Sequence, residues 1–223
     1  MFSDKVRKLL AVLLVFIFPY ISIGISVRIA FTEKFIEWEY SKKNFPKDRW
    51  GMTKEERLEL AKLGLRAVLS DKDMEKFKRK KLSNGKRAFT EREIKHMEDV
   101  KNLLKLYFPS VYLITLVWFL GVVLLKDSRV LIYSGIFNTI FLIFLSVLTF
   151  VDYKRAFEIF HIVVFDHYSW KFKYSDTLIR VYPMKFWYDA TVFVGALGFI
   201  LGIITLSSGI LWKSFLRKKR ERN

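Results

Sequence analysis

The sequence predicts an all-α polytopic membrane protein. Its expected plan is a single membrane domain over residues 1–223 with four transmembrane helices, both termini cytoplasmic and two extracytoplasmic segments. Three observations carry this expectation. First, 52% of the residues are hydrophobic although the formal net charge is +17, so a greasy chain gathers its charges into blocks. Second, residues 9–31, 109–125, 130–151 and 190–212 are mostly apolar. At about 1.5 Å per residue such stretches cross a hydrocarbon core of roughly 30 Å, the second borrowing Tyr107 and Phe108 at its end. Third, short basic segments recur on alternate connections. Lys5, Arg7 and Lys8 precede the first stretch, Lys126 and Arg129 fill the turn between the second and third, and KSFLRKKRERN follows the fourth. The positive-inside bias makes that side cytoplasmic, so a multi-pass protein of the plasma membrane is expected with segments 32–108 and 152–189 outside.

The first span is longer than the apolar run of a signal peptide, about 7–15 residues, and no A-x-A site follows it, so it is expected to stay as an anchor. The segment after it is soluble in character. Thr53 and Glu56 have the spacing of a capping box, and Leu58, Ala61, Leu65, Val68 and Leu69 then form one apolar helical face. Asn84-Gly85 is a turn signal that predicts a short β-hairpin. The lysines around it read as a solvated face, or as contacts to anionic headgroups worth about 1 kcal/mol each.

A second capping box, Thr90 with Glu93, opens a helix expected to run to Pro109 and bend there, because proline cannot continue the hydrogen-bond ladder. On that helix His96 shares a face with Val100, Leu103 and Tyr107. The third span is expected to run on into YKRAFEIFHIVVF, where Phe157, His161, Val164 and Phe165 fall on one face. The stretch DHYSWKFKYSDTLIRVYPMKFWYDA is dense in Tyr, Trp and Phe, rings that settle at a membrane interface.

The absence of cysteine excludes a thiol nucleophile, a thiolate metal site and a disulfide. Neither H-E-x-x-H nor G-x-S-x-G occurs, and Ser83-x-x-Lys86 falls at the hairpin tip. His161 and His167, six residues apart, are not a usual helical pair of metal ligands, so no metal is expected. What remains is a pair of histidines on apolar stripes in separate segments. A histidine so placed is either a core residue with a satisfied hydrogen bond or a group that takes and gives protons near neutral pH.

Four blocks then bear on function: FPKDRWGMTKEER at 45–57, FTEREIKHMEDVK at 89–101, FHIVVFDHYSW at 160–170 and DTLIRVYPMKFWYDA at 176–190. With their order and the spans between them, they resemble the integral membrane family that includes the bacterial lipoprotein intramolecular transacylases. The resemblance implies transfer of one acyl chain from the glycerol of a diacylglyceryl-cysteine lipoprotein to the α-amine of that cysteine. The family's two functional histidines map onto His96 and His161, while His167 receives no role. An aromatic rim containing Phe165, Trp170 and Tyr182 is expected to receive acyl chains and glycerol, and Arg28, Arg155 or Arg180 to hold a carbonyl or the developing oxyanion. The implied partners are membrane lipid and a diacylglyceryl lipoprotein, with no cofactor and no nucleic acid.

A lysine- and glutamate-rich composition without cysteine is a feature of heat-loving organisms, some of which use ether lipids. An ether-linked glycerol has no acyl group to transfer. The alternative reading is therefore a non-catalytic lipid- or lipoprotein-binding membrane protein with structural histidines. A third is a polytopic scaffold that binds a partner through its basic segment.

Overall fold

The computed structural model describes residues 3–165 and 168–222. Among these the regular structure is helical: α1 (Asp4–Ala30), α2 (Glu33–Ser41), α3 (Lys54–Ala67), α4 (Asp71–Arg79), α5 (Glu91–Leu125), α6 (Ser128–Val151), α7 (Tyr153–Val164), α8 (Thr177–Val181) and α9 (Met184–Arg222). Four of them, α1, α5, α6 and α9, are long and apolar enough to cross a membrane, and the protein is multi-pass. The chain divides into two compact units, one of residues 1–27, 108–151 and 193–223, the other of residues 28–107 and 152–192.

The first unit leaves a broad set of apolar residues exposed and buries several polar ones, beside a small apolar core of Leu14, Val122, Leu125 and Val130. Phe16, Leu116, Phe119, Phe144, Leu148 and Ile203 are exposed, whereas Ser22, Ser26, Ser134 and Asn138 are buried. This inversion is what lipid as solvent produces, because apolar side chains gain nothing by leaving hydrocarbon and the helices must cohere by close packing and hydrogen bonds. Asn138 of α6 donates to the Gly198 carbonyl of α9 at 3.0 Å and accepts from the Ser22 hydroxyl of α1. A Cβ on Gly135 would stand 2.6 Å from the Gly202 carbonyl oxygen, so glycine there lets α6 and α9 approach. On α5, the Trp118 indole donates to the Leu14 carbonyl of α1 at 3.0 Å. The α5–α6 turn is tight: Lys126 takes φ 50°, the Asp127 carboxylate accepts the Arg129 N–H at 3.0 Å, and Arg7 donates to the terminal Leu125 carbonyl at 2.8 Å.

The second unit has an ordinary core, with Tyr40, Leu60, Ala61, Met74, Phe77 and Val181 almost fully buried. Its helices start where hydroxyl or carboxylate side chains accept an early N–H: Thr32 before α2, Thr53 before α3, Ser70 before α4 and Asp152 before α7. Four expectations need correction. The box at Thr53 closes only halfway, because the Glu56 carboxylate turns to the Ser83 N–H at 2.7 Å. The hairpin is a turn with one isolated antiparallel bridge, Lys81 to Arg87, around Gly85 at φ 79°. The third span does not run on past Val151, since Asp152 leaves the helical region and caps α7 as a separate helix. The helix expected to end at Pro109 also continues through it to Leu125. Proline removes one donor from the ladder there without ending the helix.

Candidate active site

Two helices of the second unit carry the two histidines. At the start of α5 the capping box is complete: the Thr90 hydroxyl accepts the Glu93 N–H at 3.3 Å, and the Glu93 carboxylate accepts the Thr90 N–H at 2.7 Å. His96 follows one turn later. On α7 the Asp152 carboxylate accepts the Arg155 N–H at 3.0 Å, and Phe157 and His161 then point into the same cavity from successive turns.

The imidazole centroids lie 6.1 Å apart with ring planes inclined by 27°. Each histidine is 9% exposed. Aromatic rings enclose the pair. Phe165 packs against both, at 5.2 Å from His96 and 5.6 Å from His161. Phe172 meets His96 edge-on at 5.4 Å, and Trp170 lies 4.9 Å from His161.

The Nδ1 of His161 is 2.8 Å from the Phe157 carbonyl oxygen. A carbonyl only accepts, so the proton of the neutral ring sits on Nδ1 and Nε2 keeps its lone pair. The Nδ1 of His96 is buried and has no hydrogen-bond partner among the described residues. Burial pushes His96 down to about 4, charge on His161 adds to this, and Asp99 opposes it. Burial also lowers His161, against the pull of the Phe157 carbonyl. Near neutral pH the site therefore holds two uncharged imidazoles.

The histidines line a cavity of about 140 Å³. Its walls come from Phe35 and Ile36 of α2, Leu65 of α3, Leu178 of α8, and Phe186 and Trp187 of α9. Among the described residues no Asp, Glu, Lys or Arg lines it. Tyr182 forms one wall: its hydroxyl donates to the Ala61 carbonyl, and Gly64 makes room, since a Cβ there would lie 2.7 Å from that hydroxyl oxygen. An apolar cavity with two convergent neutral bases suits proton transfer at a bound group more than recognition of charge.

Of the residues expected at the site, His96, His161, Trp170 and Tyr182 line this cavity, and Phe165 touches both imidazoles. The three arginines expected to hold a carbonyl or oxyanion are not among the residues that line the cavity. Arg180 is taken up by Asp48 through two hydrogen bonds of 2.9 and 3.0 Å. Burial alone would raise Asp48, but Arg180 and the N–H groups of Met52 and Trp50 outweigh it and hold the carboxyl down to about 2. Arg28 donates to the Phe31 carbonyl at 3.3 Å, and Arg155 is exposed. His167 lies outside the described residues. Among the described residues no three His, Cys, Asp or Glu side chains converge to hold a metal ion. Phe172, Leu178 and Trp187 were not singled out in the sequence. For the two rings the signal was only the aromatic density of a block in which every ring looks alike, and Leu178 carried none.

The helical architecture is shared with solved membrane proteins. The structure of the membrane integral lipoprotein intramolecular transacylase Lit from Bacillus cereus superposes with a TM-score of 0.66 at 17% identity, covering 98% of this chain and 100% of that one. A variant of the same protein with a histidine-to-alanine substitution gives a TM-score of 0.59 at 18% identity, covering 97% and 96%. These likenesses bear on the fold. An uncharacterized protein of Aquifex aeolicus (strain VF5) is 67% identical over 213 residues, 96% of this chain and 99% of its own length. The family described as Lipoprotein intramolecular transacylase Lit matches residues 10–187, and on that extent of match the chain belongs to this family.

Proposed function

We propose that the protein moves one O-linked acyl chain from the glycerol of a diacylglyceryl lipoprotein to the α-amine of its lipidated N-terminal cysteine, at the extracytoplasmic face of the plasma membrane. The observation that carries this reading is the pair of buried, neutral imidazoles 6.1 Å apart in an aromatic cavity that no charged side chain lines among the described residues. Family membership and the name of the Bacillus cereus protein point to the same chemistry.

The amine nitrogen attacks the ester carbonyl carbon, a C–N bond forms, and the nitrogen must shed a proton. His161 takes it at Nε2, the atom its hydrogen bond to Phe157 leaves basic. The tetrahedral intermediate then collapses, the C–O bond to glycerol breaks, and the imidazolium returns the proton to the departing oxygen directly or through His96. The net change is one proton moved from nitrogen to oxygen, so neither histidine ends the cycle altered. Donor and acceptor belong to one molecule, and the site has mainly to fold that headgroup into the reactive pose, a gain that reaches about 7–11 kcal/mol in well-oriented cases. The apolar walls receive the glycerol backbone and the first methylenes.

Co-expression with a reporter lipoprotein, in an ester-lipid host lacking its own N-acylating enzyme, tests this. Mass spectrometry of the N-terminal peptide should show an N-acyl, singly O-acylated cysteine. An unaltered diacylglyceryl peptide beside a folded, membrane-inserted protein would instead favour a lipid-binding module.

A further inference from the structure

Glu93 is a carboxylate 1% exposed in the second unit, and none of the chemistry above uses it. Its two oxygens divide between two helices. Oε2 closes the capping box of α5, accepting the Thr90 N–H at 2.7 Å and the Thr90 hydroxyl at 2.9 Å. Oε1 accepts the Leu178 N–H at 2.7 Å, in the first turn of α8. That helix is only five residues long, and its own N-cap residue, Asp176, makes no side-chain capping bond. Glu93 supplies the missing cap from another element, across 85 residues of sequence.

The consequence is geometric. Glu93 stands one turn before His96 on α5, and Leu178, whose N–H it holds, lines the cavity beside that histidine. Two residues on, Arg180 offers its carbonyl to the Arg57 guanidinium at 2.9 Å, and Tyr182, the next cavity wall, follows. The bond from Glu93 to Leu178 therefore fixes the wall that faces His96. Glu93 does not act through the charge of His96, whose lowered proton affinity follows from burial and from His161, against the opposing pull of Asp99.

Resting on the transacylase reading, we propose that Glu93 is a positioning residue for the reaction, tying the His96 helix to the α8 wall so that the reacting ester is held against the imidazole pair. Displacement of a reacting group by about 1 Å costs on the order of 10²-fold in rate. Loss of this tie should therefore lower kcat more than it raises KM.

The test uses the full-length protein in detergent or lipid with a diacylglyceryl lipopeptide, and rates are normalised to folded protein. Glu93→Ala should lower kcat about 10–100-fold with KM within about threefold of wild type. Glu93→Gln should recover most of kcat, since its amide oxygen can still take the Leu178 N–H, while its stability stays reduced at the Thr90 side. Thr90→Ala weakens only the α5 cap and should lower the melting temperature with kcat within about threefold of wild type. If Glu93→Ala does not fold, Glu93→Asp carries the test, being one methylene too short to reach α8 while keeping a carboxylate near Thr90. A normal kcat per folded molecule in the Ala variant, or in the Asp variant where Ala fails to fold, would overturn the proposal and leave Glu93 a stabilising cap. An inactive wild type would instead sink the transacylase reading itself, so the two failures are distinguishable.

Discussion

His161 is ready to act as a base because a single backbone oxygen, that of Phe157, holds its Nδ1 proton in place, and His96 faces it with a buried nitrogen that has no hydrogen-bond partner among the described residues. A core histidine at both positions would have had its partners. We expect His96→Ala and His161→Ala each to lower transacylation by about 10²–10⁴-fold, measured as initial rate on a diacylglyceryl lipopeptide, with insertion and helix content unchanged. The pH dependence follows from burial. Because His96 is lowered to about 4 it stays neutral through the mildly acidic range, and burial lowers His161 from its ordinary value as well. The rise of kcat/KM near neutral pH should therefore track the substrate's own α-amine, which titrates at about 7.7–8.0, and should shift when a less basic amine is presented. Stability runs in the same direction as for a carboxylate pairing with a cation, because the folded value is lowered in both cases. Unfolded His96 takes its proton near 6.5 and folded His96 only near 4. The unfolded chain thus binds more protons between those values, and the second unit should lose stability as pH falls from 6.5 toward 4. A melting temperature flat across that window would contradict the buried, neutral assignment. These two histidines were legible in the sequence because a titratable residue on an apolar stripe stands out. Arg28, Arg155 and Arg180 were not placeable, because whether a guanidinium is free depends on partners such as Asp48, far away in sequence.

At the scale of elements, the break at Asp152 matters most. It separates a span from the short helix that carries His161, and it sets that helix's direction through one capping bond to the Arg155 N–H. Asp152→Ala removes the cap, which costs about 1 kcal/mol. We expect faster amide hydrogen exchange across residues 153–164 and a several-fold loss of rate, whereas Asp152→Asn should retain both. Unchanged exchange in the Ala variant would mean that aromatic packing alone holds α7. The break went unread in the sequence because apolar periodicity continues from one helix into the next, and one aspartate does not reveal whether it caps a helix or faces water. Capping boxes were readable as spacing, but their closure was not. Glu93 closes its box and reaches α8, whereas Glu56 opens its box to hold Ser83. Both choices depend on an element distant in the chain.

At the scale of the molecule, the four spans were legible because length and apolarity alone meet the demand of a bilayer, and the structure extends rather than replaces them. The proposed orientation, with both termini cytoplasmic, rests on the basic residues beside the short connections and is open to direct test, since the chain has no cysteine. Single cysteines at the exposed positions Ser83 and Tyr174 should react in intact cells with a membrane-impermeant thiol reagent, and one at the exposed Arg129 should not. Labelling at Arg129 would reverse the membrane sidedness and remove the site from the face where lipidated substrates reside. The central claim is transfer within one molecule, and an isotope experiment tests it most directly. Purified protein is given an equal mixture of diacylglyceryl lipopeptide bearing two deuterated chains and lipopeptide bearing two ordinary ones, and the N-acylated product is weighed by mass spectrometry. The account predicts products carrying two deuterated chains or none; products with one of each, in the proportion random exchange would give, would contradict it.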